Sequence, residues 1–283
     1  MSGGAPYAPF LEPRTARPPG LSPLDPAEWL ACDPDYAQQM TQRDRLIAEQ
    51  PDLVMAATDD AADALEELRE TVLTALTARS EWRIAPDAVR RPDRETVPLD
   101  TPTLPLIGRL LQEDMLLMAP GDPEYRLIGG VLCFPSRWSF AEKLGRPLTE
   151  IHSIVPGYAE ELAPRVNRVF DAVAVERPLI RVNWAVHPTP ALHQPRVKTS
   201  DGAAPVVPLT GRFWLRTERQ TLRRLPRTRA VAFGIKLTVT PLQALTPLQR
   251  AGLGVALRGL SADEIAYRGG ADLHAAALDA LEG

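Results

Sequence analysis

The sequence predicts an α+β fold: an antiparallel sheet with a helical insertion, an N-terminal helical cover and C-terminal helices. Two observations predict it. Residues 33–80 follow helical spacing, whereas from about residue 115 the chain turns to short, apolar, β-prone runs bounded by turn residues. A second helical stretch then interrupts those runs, and short or polar links between the last three favour antiparallel pairing, because parallel pairs need a longer crossover.

Taken in order, residues 1–35 hold eight prolines and read as an extended arm, since proline has no amide donor. Residues 33–50 start at an Asp-Pro pair and place Tyr36, Met40 and Ile47 at helical spacing. Residues 58–80 have acids in the first turn, Arg79 near the end, and Leu65, Leu68, Val72 and Leu76 at helical intervals. A proline-spaced stretch from Pro86 to Pro105 follows. "MLLMA" and "YRLIGGVLCF", joined by "PGDPE", form a hairpin pattern. "WSFAEKLG" and "GYAEELAPRVNRVFDAV" are helical, with His152 between them. Three β-like runs occupy 178–186, 211–225 and 229–242, and helices return from Thr246. The order β-β-α-α-β-β-β is that of a PAS-like domain, five strands with helices covering one face and a pocket between. We therefore divide the chain into an arm and helical segment (1–103), a PAS-like core (104–247) and C-terminal helices (248–283).

The chain has 283 residues, 45% hydrophobic and 24% charged, an ordinary globular composition outside the disordered regime. Its net charge of -4 gives no reason to expect nucleic acid. No run approaches the ~18 apolar residues of a membrane span, and no signal-peptide pattern opens the chain, so a cytoplasmic location is expected. Two cysteines, Cys32 and Cys133, are too few for a disulfide framework or a thiolate cage. Nucleotide-loop, zincin, nucleophile-elbow and CxxC motifs are absent.

The candidate chemistry rests on few residues. His152 lies at a helix terminus facing the inferred pocket, although a capping or satisfied core role is the other reading of the residues alone. His187 ends an apolar strand, His193 falls in a proline-broken loop, and His274 sits in an alanine-rich helix. Cys133 is a second possible iron ligand, but its apolar neighbours suit a buried thiol. Residues 214–229 carry six arginines and one acid. Strand alternation puts Arg216, Glu218 and Gln220 on one face and Leu215, Thr217 and Arg219 on the other. Arginine suits planar, bidentate recognition of carboxylates, so the cluster fits an anionic cofactor such as haem with its propionates.

The blocks "LCFPSRWSFAEKLGRPLTEIHSIVPGYAEELAPRVNRVFDAV", "RVNWAVH" and "LRTERQTLRRLPRTRAVAFGIKLTV" resemble the haem-dependent oxidative N-demethylase family from about Leu104 to Pro247. The resemblance implies haem b in a PAS-like fold and oxidative demethylation of a secondary amine such as dimethylamine. It also implies O2 as co-substrate and electrons from NAD(P)H through a separate flavin and iron-sulfur reductase. Carried onto this chain, it points to His152 as iron ligand, to Arg216, Arg219, Asn183 and Trp184 as cofactor-binding residues, and to Glu218 and His187 as catalytic candidates. A non-catalytic haem-binding sensor or binding protein is the alternative, since fold does not fix function.

Overall fold

The structure is a computed structural model that describes residues 8–12, 20–153, 155, 158, 162–195 and 209–282. The first segment supplies β1 (Ser22–Pro23), α1 (Tyr36–Glu49), α2 (Pro51–Val54), β2 (Met55–Ala57) and α3 (Ala62–Thr77). Next come β3 (Arg83–Ile84), β4 (Ala88–Arg90), β5 (Thr96–Pro98) and α4 (Thr103–Leu110). The hairpin β6 (Asp114–Ala119) and β7 (Arg126–Val131) leads into α5 (Phe140–Lys143), α6 (Leu148–Ile151) and α7 (Ala163–Ala172). Long strands β8 (Leu179–His187), β9 (Trp214–Arg224) and β10 (Val231–Pro241) follow, then α8 (Pro247–Arg258), α9 (Ala262–Arg268) and α10 (Ala271–Glu282).

The sheet has seven strands rather than the five expected, in the order β1-β8-β9-β10-β6-β7-β2, with every neighbouring pair antiparallel. The two additional strands are edges donated by the N-terminal segment. β1 is two residues long and ends in a proline, and β2 is Met-Ala-Ala, so neither is long enough to show an alternation. The stretch between Pro86 and Pro105, expected only to separate segments, supplies β4 and β5, which pair with β3 just before it in a small three-stranded sheet, β3-β4-β5.

Alternation along the strands divides the core in two. Met115 and Leu117 of β6 point toward the N-terminal helices and join Met40, Leu68, Val72, Leu76 and Leu106. Leu116 and Met118 point the other way and join Leu222, Phe140, Leu148 and Phe170 of the insertion. Val186, Phe213 and Leu215 pack with Leu253, Leu257 and Ala277 of the C-terminal helices. At Gly130, with φ +150°, an added Cβ would lie 2.4 Å from the Met115 carbonyl oxygen, so β6 and β7 approach there as only glycine permits.

One buried ion pair fixes the end of that hairpin. Asp114 lies 2.6 Å from Arg43 Nη1 and accepts the backbone N–H groups of Cys133 and Phe134 at 2.7 and 2.9 Å. Arg43 Nε donates to the Gly108 carbonyl at 3.0 Å, so α1, α4 and the chain after β7 meet at one carboxylate. Both side chains are at most 1% exposed. Asp114→Ala strands a buried guanidinium and is expected to cost about 3 to 5 kcal/mol of stability, read from the urea unfolding midpoint.

Candidate functional site

β8 and β9 build the site by register. Arg181 faces Gln220, Asn183 faces Glu218, Ala185 faces Arg216 and His187 faces Trp214. These residues share one face, and Ala185 leaves it open between larger neighbours. Glu218 is held from three sides: its Oε1 accepts from Ser136 Oγ at 2.6 Å, and its Oε2 accepts from Gln220 Nε2 at 2.8 Å and Asn183 Nδ2 at 3.4 Å.

Arg216 lies beside it, 2% exposed. Its Nε donates to Ser136 Oγ at 2.9 Å, Nη1 to the Ala191 carbonyl at 3.0 Å, and Nη2 to the Phe134, Leu192 and Pro135 carbonyls at 2.9, 3.0 and 3.3 Å. Gln194 Nε2 donates to the Ala191 carbonyl at 2.6 Å, so its Oε1 is free to accept from His187 Nδ1 at 3.0 Å. Burial, with the charges of Arg137 and Arg216 adding to it, pushes the His187 pKa down to about 3. That histidine is neutral.

His152 follows the last residue of α6 as its C-cap. A carbonyl can only accept, so the 2.9 Å contact between His152 Nδ1 and the Leu148 carbonyl puts the ring proton on Nδ1 and leaves a lone pair on Nε2. Burial pushes the His152 pKa down to about 4, and the charges of Lys143 and Arg181 act in the same direction. The ring stacks on Tyr158 at 4.4 Å, and the Tyr158 hydroxyl is buried without a partner among the described residues.

Arg181 connects the two histidine-side and carboxylate-side groups. Its charge disfavours protonation of His152, and Glu218 in turn favours the Arg181 charge against the burial that lowers its pKa. Arg181 makes no hydrogen bond or ion pair among the described residues. Arg137 and Arg268 add to the same region: Arg137 Nη2 donates to the Arg268 carbonyl at 3.0 Å, and Arg268 Nη1 donates to the Trp184 carbonyl at 2.6 Å. Tyr267 lies close enough to Glu218 for that charge to raise its pKa, after burial as the main cause. Sequence reading missed Arg181, although it has the same strand parity as Asn183.

The sheet separates other candidates. Trp184 points to the opposite face, where it meets Phe10 edge-on at 5.5 Å and lies under Arg268 at 4.7 Å. Arg219 also points away from Glu218 and donates to the Trp29 and Glu28 carbonyls at 3.1 and 2.5 Å, with Glu113 at 3.9 Å. Cys133 is buried, and burial raises its thiol pKa to about 12, so it is no ready thiolate. His193 Nδ1 is bonded to the Cys133 carbonyl at 2.7 Å.

A neutral imidazole with one nitrogen anchored, a guanidinium without a partner among the described residues and a braced carboxylate lie on the same side of the sheet, an arrangement that offers a nitrogen donor and an anion receptor. The family profile of haem-dependent oxidative N-demethylase, alpha subunit-like, matches residues 20–278. The chain belongs to this family. The match extends the resemblance over the N-terminal helices and most of the C-terminal ones. Among the described residues, no helix is long and apolar enough to cross a membrane.

The buried neutral His187 makes stability pH-dependent. Its folded pKa lies below the usual 6.5, so the unfolded chain binds the extra proton first, and stability falls as pH drops from about 6.5 through about 3. His187→Gln is expected to flatten the stability slope between about pH 6.5 and 4.5, a window in which the carboxylates contribute alike to both proteins. Urea midpoints across that range check it, and equal slopes would place the imidazole in solvent.

Proposed function

We propose that this chain is the haem-binding subunit that oxidises a secondary amine of the dimethylamine class, releasing formaldehyde and the demethylated amine. The five central strands, numbered by chain order, lie 3-4-5-1-2 with helices inserted between the second and third, which supports a PAS-like core. The observation that carries the site assignment is the state of His152: neutral, with Nδ1–H fixed on a backbone carbonyl and Nε2 without a partner among the described residues.

These residues fit a haem. His152 would hold the iron through Nε2, and Phe140, Leu148 and Ile151 around it would give the group apolar neighbours. Arg216 and Arg219 were the expected propionate partners, but both guanidiniums already serve protein carbonyls, whereas Arg181 is uncommitted and suits that role better. Asn183 belongs on the cofactor face through its contact with Glu218, and Trp184 supports that strand from behind. When bound, haem supplies the oxygen chemistry.

The remaining roles belong to side chains. Glu218 offers a carboxylate to an ammonium that would otherwise be costly to desolvate. Its 3.4 Å contact with Asn183 is the longest of its three, so that is the one a bound ammonium would displace. His187, neutral and anchored through Nδ1, offers Nε2 as a hydrogen-bond acceptor to the ammonium N–H, since burial and the nearby arginines make it too weak a base to take the proton. The balance is one amine, O2, NAD(P)H and one proton giving the demethylated amine, formaldehyde, water and NAD(P)+. We assign the electrons to a separate flavin and iron-sulfur reductase, and the alpha-subunit character of the family supports a partner chain.

Adding hemin to the apo chain is expected to produce a Soret band that His152→Ala loses or shifts. A mutant spectrum identical to wild type would move the ligand elsewhere. Glu218→Gln is expected to keep the haem spectrum and weaken amine binding by about 1.5 to 3 kcal/mol, the scale of a charge-assisted hydrogen bond. Amine titration of the haem spectrum measures it, and equal affinities would remove Glu218 from the substrate site. Haem binding without amine turnover in the presence of a reductase would favour the sensor or binding reading.

A further inference from the structure

A second binding feature lies on the opposite face of the sheet from Glu218. The N-terminal arm, α3 and the end of β9 enclose an open groove of about 480 Å3, within the usual volume range of small-molecule sites. Its apolar wall comes from Leu30, Ala75, Ala78 and Val175, and the two alanines leave room where larger side chains would fill it. The polar side includes Trp29 and Arg223, with the Arg223 guanidinium 4.5 Å from the Trp29 ring centroid, and Arg79, which is committed to the Leu30 carbonyl at 2.5 Å and Glu81 at 2.8 Å.

The charge on this wall is unanswered. Arg223 is half-buried and has no hydrogen-bond acceptor or carboxylate partner among the described residues. Its neighbour Arg224, by contrast, is saturated: it donates to the Val173, Arg229 and Asp171 carbonyls at 2.6, 2.7 and 3.3 Å, and also to the Phe170 carbonyl. Burial lowers the Arg223 pKa. Trp29 is 1% exposed, and its Nε1 has no acceptor among the described residues. The one acid on the lining, Glu70, is already paired with Arg227 at 2.6 Å. No histidine or cysteine lines the groove, so it offers no axial donor to a haem.

We propose that this groove binds a small organic carboxylate with an apolar or aromatic body, its carboxylate taken by the free edge of Arg223 and its body laid against Leu30, Ala75, Ala78 and Val175. Stacking on Trp29 fixes the plane of the guanidinium, so a planar carboxylate meets its donors without reordering them. A neutral analogue of the same body gains the apolar contact and loses the paired charge. A cationic amine is excluded, which separates this site chemically from the one at Glu218.

The probe is 4-fluorobenzoate, titrated against the full chain by fluorine NMR beside 4-fluorobenzyl alcohol. The carboxylate is expected to bind about tenfold or more tightly than the alcohol. Arg223→Gln should abolish that preference while leaving alcohol binding and the thermal midpoint unchanged, and Ala75→Leu should weaken both ligands by filling the groove. Hemin loading should be the same in wild type and Arg223→Gln. The proposal fails if the carboxylate does not bind, if it binds no better than the alcohol, or if Arg223→Gln retains the preference. Loss of the haem spectrum in Arg223→Gln would also overturn it, by showing that the groove belongs to the haem site.

Discussion

The candidate site depends on how Arg216 is satisfied. A buried guanidinium costs several kcal/mol unless its donors are met, and here they are met chiefly by four backbone carbonyls and a serine hydroxyl. Those carbonyls come from two segments, 134–135 after β7 and 191–192 after β8, which also pair directly, Arg137 N–H donating to the Gln194 carbonyl at 2.8 Å and Gln194 N–H to the Pro135 carbonyl at 3.2 Å. By drawing both onto β9, Arg216 brings Ser136 to Glu218 and Gln194 to His187. The carboxylate and the imidazole are therefore oriented by one cation that itself is not free to bind a ligand.

The same logic sorts the arginine-rich strand. Its density suggested one receptor for an anion, yet strand alternation distributes the arginines between two faces with different duties. Arg216 and Arg224 clamp loops on the insertion side, whereas Arg219 ties the N-terminal arm and Arg223 lies on Trp29. Arg227, beyond the strand, pairs with Glu70 while its backbone N–H and that of Thr228 are taken by Glu67 at 2.6 and 2.8 Å, locking the β9-β10 turn onto α3. An arginine run in a sequence gives the number of cations; their availability depends on acceptors elsewhere in the chain.

That distinction explains what was legible. Periodicity showed the long strands, the helical cover and which residues of β9 share a face, because these depend on spacing alone. It could not show β2, whose three residues form a strand only because β7 offers a free edge. Glu218 and His152 stood out as an isolated acid among arginines and a histidine at a helix end. Arg181 did not, since its importance lies in the lack of a partner, and an absent partner has no signature in sequence. Ser136 likewise enters the site across 82 residues of chain, through contacts that only tertiary packing creates.

The remaining constraint is the sign of the local field. The chain is acidic overall, but Arg181 and Arg268 lie close enough to Glu218 for its charge to favour theirs, while burial acts against both and the Arg268 charge acts against Arg181. An ammonium approaching this face alone meets more positive than negative charge and gains little from Glu218. A ligand bearing two carboxylates reverses that sign, relieves the desolvated guanidiniums and leaves Glu218 free to attract a cation. On the proposed reading, Arg181 would take a propionate of a bound haem, and that pairing would leave Glu218 free to attract the amine, so cofactor loading would precede substrate binding.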